Sequence, residues 1–334
     1  MAMHRSTRAT DPVARRCIAY IGARCLRICL LLSFAVWCPP AQAHGIVGNR
    51  LFPGTLAFED PAVNDELAFP DFSSVGQWDQ GSAVVDDRVG WSFSRLLTPT
   101  IAIGVGGGWI HRNWRASQTS GFDVTNVGLK ALLYKNDSRE VMFSAGASWG
   151  VGGSGSQAVG ANRSDTVQPG LFFGKGFGDL PECVSWLRPF AVTGAVSVEH
   201  PLAASSMNLG IDPQTGQLSQ MTTRNVDFLH WGFSVQYSTF YLTNRFAPGK
   251  LPKGEPVQQF VPIVEFAFDS ANGVKTAATM NPGIAYVANT YQVGVEAIVP
   301  LNSEGGRNVG MRAQLLLFLD DLLPSIFGKP IFDR

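Results

Sequence analysis

Two side chains that could act together in hydrolysis, His230 and Ser234, stand four residues apart in the segment 227–241. A serine nucleophile needs a histidine at hydrogen-bond distance and a third group that orients the histidine. If the segment is a strand, the two residues are roughly 13 Å apart, because a strand rises about 3.3 Å per residue. That distance is too long for direct pairing. We therefore expect no catalytic residues and predict that the protein is not an enzyme.

Metal binding has little support in the sequence. Of five cysteines only Cys183 lies beyond residue 43, so the rest of the chain can form no internal disulfide and no thiolate zinc site. The histidines His111, His200 and His230 lie on separate segments. His44 is a weak candidate, because a new amino terminus at this residue could chelate copper through its amine and ring. We otherwise predict no metal and no cofactor.

The segment 227–241 alternates between two kinds of side chain. A strand points successive side chains to opposite faces, so this segment predicts a strand with one apolar face and one polar face. The apolar set is Leu229, Trp231, Phe233, Val235 and Tyr237, and the intervening set is His230, Gly232, Ser234, Gln236 and Ser238. In a membrane-spanning barrel the first set would contact lipid and the second would line the lumen.

Similar alternation recurs along the chain and predicts an all-β protein. About eleven strands follow residue 82. They lie near 84–95, 101–109, 126–133, 141–149, 167–177, 190–199, 227–241, 261–269, 280–288, 291–299 and 309–319.

The connections between these strands alternate between short and long, as periplasmic turns and outer loops do in such barrels. If the short link 97–99 is periplasmic, one upward strand must precede residue 83. Gly54–Glu59 and Leu67–Phe72 are the two candidates for it. The sequence therefore predicts a transmembrane antiparallel up-and-down β-barrel of about 12 strands, with ten and fourteen left open.

A soluble β-sandwich is the alternative fold. Its strands would average about 5–6 residues, whereas many segments here approach or exceed the ~9–11 residues that cross a bilayer at a tilt. Aromatic residues also recur near strand ends, where they favour the lipid–water interface. These are Trp91, Trp109, Trp149, Trp186, Tyr241 and Tyr291. Both observations favour the barrel.

The first 43 residues resemble a secretory signal peptide. Six arginines precede an apolar run from Ile28 to Trp37, and Ala41-Gln42-Ala43 offers a cleavage site after Ala43. The run is too short for a membrane anchor. The remaining chain has 20 Lys+Arg against 25 Asp+Glu, a net charge of −5, and no basic stripe that would indicate nucleic-acid binding.

We predict four regions. Residues 1–43 are the signal peptide, and 44–82 hold a periplasmic lead-in, a first strand or lumen plug, and the first outer loop. Residues 83–320 form the barrel, and 321–334 form a periplasmic tail. Six charged or titratable residues fall on inward positions and are candidates for the lumen lining, as a selectivity filter or as a salt-bridged plug. They are Lys130, His230, Glu265, Asp269, Glu296 and Arg312.

Several segments resemble a family of uncharacterised proteobacterial outer-membrane β-barrel proteins. The segments are 44–55 (HGIVGNRLFPGT), 60–67 (DPAVNDEL), 173–181 (FGKGFGDLP), 186–190 (WLRPF), 291–298 (YQVGVEAI), 318–324 (FLDDLLP) and 328–332 (GKPIF). The family is similar to barrels of the phenol meta-pathway (MetA-like) transporter type. This resemblance implies passage of small compounds, aromatic or other, through an outer-membrane barrel.

One feature departs from the usual outer-membrane pattern, in which the last strand ends the chain at an aromatic residue. Here the last predicted strand stops near Leu319, and Phe332 is followed by two more residues. Either the insertion signal is internal, at about Gly310–Phe318, or the tail docks back on the barrel.

Three functions stay open at this point. The first is a passive channel or transporter for small molecules in the outer membrane of a Gram-negative bacterium. The second is a structural or adhesive barrel with a filled lumen, and the third is a lipid-modifying enzyme. The partners we predict are outer-membrane lipid, the barrel-assembly machinery during insertion and an unidentified small-molecule solute, with no nucleic acid.

Overall fold

Strands dominate the structure, a computed structural model that describes residues 45–79, 82–114, 118–211, 218–239 and 259–332. In chain order they are β1 (Ile46–Val47), β2 (Arg50–Leu51), β3 (Glu66–Asp79), β4 (Ser82–Thr98), β5 (Ile101–Trp114), β6 (Gln118–Phe122), β7 (Thr125–Asn136), β8 (Val141–Val151), β9 (Thr166–Gly176), β10 (Phe190–Pro201), β11 (Ser205–Ile211), β12 (Leu218–Arg224), β13 (Phe228–Tyr237), β14 (Gln259–Ala271), β15 (Ala277–Val287), β16 (Tyr291–Pro300) and β17 (Gly310–Phe318).

Twelve of these strands form a closed antiparallel barrel. The ring runs β3, β4, β5, β7, β8, β9, β10, β13, β14, β15, β16 and β17, and β17 pairs with β3 to close it. Closure leaves no open sheet edge around the ring. The predicted antiparallel barrel of about 12 strands is therefore confirmed.

Three further pairings lie outside the ring. β1 and β2 form a small hairpin, β11 and β12 form a hairpin in the connection between β10 and β13, and β6 adds to the part of β5 far from its start. We call the barrel end that holds the β1–β2 hairpin the lower end, and the opposite end the upper end.

The first barrel strand is β3, which contains the candidate Leu67–Phe72. The other candidate, Gly54–Glu59, is wrong, because these residues form no strand. Their backbone N–H groups donate instead to side chains of the barrel wall, as at Gly54 and Leu56. Part of the predicted N-terminal region 44–82 is thus β3, and the residues before it take another path.

The predicted faces of the strands match the exposure of their side chains. On β13 Leu229, Trp231 and Val235 are exposed, whereas Ser234 is fully buried. Inward positions elsewhere are often occupied by glycine or alanine, such as Ala102 and Gly104 on β5. Small inward side chains leave space inside the ring, and residues before β3 occupy part of that space.

The last strand ends at Phe318, next to its predicted end near Leu319. Leu319, expected on the outer face of that strand, begins the helix α1 (Leu319–Leu322) and is buried. Its N–H donates to the Asp65 carbonyl at 3.0 Å, which turns the chain away from the sheet. A second helix, α2 (Pro324–Phe327), follows. Within the described ranges, no helix is long and apolar enough to span a membrane.

Candidate functional site: the barrel interior

Residues 45–65, which we call the plug segment, lie inside the lower half of the barrel. The β1–β2 hairpin stands at the lower end, where the Gly48 N–H donates to Asp137 Oδ1 at 3.1 Å in the turn between β7 and β8. From there the segment rises, turns near residues 57–60 and descends to the start of β3. Side chains from most of the ring hold it in place.

Arg50 anchors the hairpin. Its side chain is almost fully buried, contacts Glu140 at 3.3 Å and donates to the carbonyls of Pro189 at 3.0 Å and Phe190 at 3.2 Å. Burial lowers the pKa of the Arg50 guanidinium, and the nearby carboxylate of Glu140 partly offsets this effect. A guanidinium presents five donors in a fixed fork, which suits a site made of several carbonyls and a carboxylate.

Apolar side chains of the plug segment complete two small cores inside the barrel. Val47 and Phe52 pack in the first with Ala62, Met142 and Ala191. The second core consists of wall residues with Leu51 packed against it: Ala68, Val261, Val287, Leu316 and Phe318. The lower lumen is therefore a packed interior.

Two wall residues bind the backbone of the rising part of the plug segment. The Glu265 carboxylate accepts the Leu56 N–H at 3.0 Å and the Ala57 N–H at 2.6 Å. The Gln292 side chain accepts from the Gly54 N–H at 3.0 Å and donates to the Gly54 carbonyl at 2.8 Å. Hydrogen bonds to a charged acceptor are stronger than neutral ones, so Glu265 is the stronger of the two contacts.

Lys130 holds the turn of the segment. Its Nζ lies 2.9 Å from Glu59 Oε1 and donates to the Asp60 carbonyl, and it stands 4.7 Å from the centre of the Phe172 ring. Ser144 donates to the Pro61 carbonyl one step further along. Contacts from β7 and β8 therefore converge on residues 59–61.

Two inward glycines make room for the segment. A Cβ at Gly232 would lie 2.8 Å from Phe58 Cδ1, and one at Gly294 would lie 2.8 Å from Leu56 Cδ1. Both distances are shorter than real carbon contacts, so a larger residue at either position would displace the plug side chain. The wall and the segment are complementary in shape at these points.

Above the segment the barrel encloses a cavity of about 480 Å³. Its floor includes Ala57, Phe58 and Glu59, and its walls carry small residues, hydroxyls and amides. It extends downward on the side of β3, β4 and β5 as far as Glu66 and Ala102. Between the plug segment and the wall near Gln292 the remaining space is only about 10 Å³, roughly the room needed for one water.

The structure divides the six candidate lumen residues into two groups. Lys130, His230, Asp269 and Arg312 line the cavity. Glu265 and Glu296 also point inward but are buried. The plug segment covers Glu265, and Glu296 pairs with Arg312 at 2.6 Å. The role of the six residues in solute selectivity stays a prediction.

The cavity mouth carries an acidic cluster around His230. Its Nδ1 lies 2.6 Å from Asp269 Oδ1, its Nε2 lies 3.4 Å from Glu199 Oε2, and the Phe228 ring stacks on the imidazole at 5.9 Å between centres. Two carboxylates therefore face one histidine. Glu199 was absent from the six candidates, although its alternation with Val198 already placed it on the inward face.

His230 and Ser234 do not come together. Ser234 is buried and shares a 2.7 Å hydrogen bond with Thr193, and Gln236 donates to it at 3.0 Å. His230 pairs with the two carboxylates instead. The weak metal candidate His44 lies outside the described residues.

Arg88 is a further inward charge that was not among the candidates. Arg88 lies 3.6 Å from Asp71 and 3.2 Å from Asp123. Arg88 occupies the strand position next to the outward Val89, so the alternation of β4 could have identified it. Asp71 follows a register shift in β3, and a local pattern does not show such a shift.

Comparison with known proteins gives structural likenesses alone. No family model matches the chain, and no curated protein matches it. It is similar to an outer-membrane channel from Pseudomonas putida F1, at 11% identity and a TM-score of 0.48 over 80% of this chain and 99% of that one.

Two other solved barrels are similar as well. The KdgM porin in complex with disordered oligogalacturonate has 11% identity and a TM-score of 0.43 over 75% of this chain and 98% of the porin. The β domain of the Bordetella autotransporter BrkA has 9% identity and a TM-score of 0.45 over 76% and 98%. These values carry no argument about function, and the fold assignment rests on the strand pairing of this chain.

Proposed function

We propose that the protein is an outer-membrane β-barrel that passes small molecules, and that its own N-terminal segment closes the lower lumen. The observation that carries this proposal is the cavity of about 480 Å³ inside a closed ring whose outer face is apolar. The cavity gives a solute a place to enter, and the plug segment is the element that must move for it to leave.

The outer face supports placement in a bilayer. Large apolar side chains project from the ring with much of their surface uncovered, for example Leu129 at 53%, Trp149 at 47% and Val295 at 47% exposed. Around a water-soluble barrel such an apolar belt would promote association. In lipid it is the required surface, and the closed ring satisfies the backbone groups that lipid cannot. The signal-like N-terminus supports export to the outer membrane of a Gram-negative bacterium.

The cavity favours small solutes that combine an apolar or aromatic part with a polar group. Phe58 and Phe172 line its floor and wall beside Lys130, and hydroxyl and amide side chains surround them. This mixture fits the MetA-like resemblance, which stays a prediction.

Passage requires only part of the plug segment to move. The cavity already descends beside residues Val63 and Asn64 on the β3–β5 side, whereas the opposite side is packed against Gln292 and the second core. We expect solute to follow the β3–β5 side when the turn at residues 57–60 leaves its contacts with Glu265 and Lys130.

A structural barrel with a permanently filled lumen is the second candidate, and the dense packing of Val47 and Phe52 favours it. Reconstitution separates the two functions. Heat-modifiable gel migration first shows that the purified barrel is folded, and planar-bilayer recording then tests a series of small solutes. Discrete conductance steps, together with solute uptake by liposomes, would support the channel. A folded, inserted barrel without conductance or uptake for any solute would support the structural function.

A further inference from the structure

The chain continues past the last barrel strand and folds back along the outside of the lower rim. We call residues 319–332 the tail. After α1 and α2 its end adds to the lower part of β4, where the Ile331 N–H donates to the Leu96 carbonyl at 3.1 Å and the Phe332 N–H donates to the Leu97 carbonyl at 2.8 Å. The tail therefore runs from the end of β17 past β3 to β4. It crosses the seam where the first and last strands close the ring.

Hydrogen bonds from Arg95 and a ring contact fix the tail to the outer wall. Arg95 pairs with Asp65 and also donates to the carbonyls of Ile326 at 3.1 Å and Lys329 at 2.8 Å. The Phe327 ring meets the outward Phe93 ring edge-on, at 6.2 Å between centres and an interplanar angle of 72°. Because Phe93 belongs to the apolar outer face, the tail is in contact with that face.

The tail leaves large apolar side chains uncovered. Its large exposed side chains are Leu322 at 44%, Leu323 at 42%, Ile326 at 62%, Ile331 at 53% and Phe332 at 64%. Asp320, Asp321 and Lys329 supply polar groups on the same short stretch. A segment that exposes large apolar side chains beside charged ones is suited to a lipid–water interface.

We propose that the tail lies in the interface of the lower, periplasmic leaflet and inserts these five apolar side chains among the acyl chains of its phospholipids. This inference rests on the proposed membrane location of the barrel. Lipid is the occupant because the tail packs on the outward Phe93, and the exposed Ile101 and Ile103 of the apolar belt lie on the adjacent strand β5. The tail then packs across the β17–β3–β4 seam on the membrane side.

Site-specific fluorescence tests the inference. In a variant without residues 1–43 that carries Cys183→Ser, single cysteines replace Ile326 in the tail, Val295 on the belt and Val274 in the connection between β14 and β15 at the upper end. Val274 is the matched control, because it is apolar and 63% exposed, as Ile326 is at 62%. An environment-sensitive dye is attached to each, and the proteins are inserted into phosphatidylcholine vesicles with and without doxyl-labelled lipid.

The expected result is a blue-shifted emission at positions 326 and 295 that doxyl lipid largely quenches, with neither effect at position 274. Emission at position 326 that matches position 274 would overturn the proposal. A blue shift at position 326 without quenching would also overturn it, because protein would then cover the patch. Absence of quenching at position 295 would contradict the membrane location itself, so failure of that premise is distinguishable from failure of the tail proposal.

Discussion

Replacement of Glu265 by glutamine should release the tip of the plug segment. The carboxylate accepts N–H groups from Leu56 at 3.0 Å and Ala57 at 2.6 Å. Glutamine has nearly the same shape but only one acceptor oxygen, and its NH₂ group would face one of the two donors. The variant therefore loses one charge-assisted hydrogen bond and leaves a buried N–H without an acceptor.

The magnitude follows from these two contacts. A hydrogen bond to a charged group contributes about 1.5–3 kcal/mol, and an unsatisfied buried donor costs about 1–3 kcal/mol. Since part of this loss is shared between the two terms, we expect Glu265→Gln to weaken docking of the tip by about 2–4 kcal/mol. At 1.4 kcal/mol for each factor of ten, the open fraction of the tip rises roughly 30- to 700-fold.

Hydrogen exchange followed by mass spectrometry measures this fraction on peptides that cover residues 52–60 of the folded barrel. Asp269→Asn is the matched control, because Asp269 lies in the same cavity and pairs with His230 at 2.6 Å. The plug peptides of Glu265→Gln should exchange much faster than those of the wild type, and Asp269→Asn should leave them unchanged. Equal exchange in the two variants would refute the assignment of Glu265 as the contact that holds the tip.

Three further changes test other contacts of the interior. Phe52→Ala should weaken packing of the plug segment by about 3–5 kcal/mol, because Phe52 is almost fully buried in the first core. In limited proteolysis the protease should then cut the plug segment faster than in the wild type, while the barrel stays intact. Lys130→Met removes the pairing with Glu59 and the bond to the Asp60 carbonyl, so single-channel recording should show a higher open probability; an unchanged value would contradict the role of Lys130. Glu199→Gln removes a carboxylate from the cavity mouth, so the reversal potential in a salt gradient should move toward lower cation preference. The control Glu304→Gln, in an outer loop, should leave the reversal potential unchanged.

The barrel could be predicted because the sequence of each strand by itself shows which side chains lie on which face. Lipid on one side and a small-residue lumen on the other impose a period of two on every strand, so segments such as 227–241 show their faces without any knowledge of their neighbours. Connection lengths then supply the parity of the strand count. Register shifts disturb this pattern only locally, as where both Leu133 and Tyr134 are exposed after the shift in β7.

The sequence offered a lumen plug as one alternative within residues 44–82, but the contacts of the plug segment were not predictable in the same way, because its partners are far away in the chain. The hydrogen bond from Leu56 to Glu265 joins residues 209 apart, and that from Gly54 to Gln292 joins residues 238 apart. Alternation identifies Glu265 as inward, but only the path of the plug segment decides whether it lines open space or is sealed. The segment Gly54–Glu59 was a strand candidate because its own residues do not reveal these distant partners.

The conductance of a barrel without most of its plug segment tests the central claim most directly. A variant that lacks residues 44–61 keeps β3 and all other strands of the ring, and heat-modifiable migration reports whether it is folded. In planar bilayers we expect the folded variant to show larger and longer openings than the full-length protein, since the lower lumen is no longer filled. A folded, inserted variant whose conductance equals that of the full-length protein, or is absent, would contradict a channel that its own N-terminal segment closes.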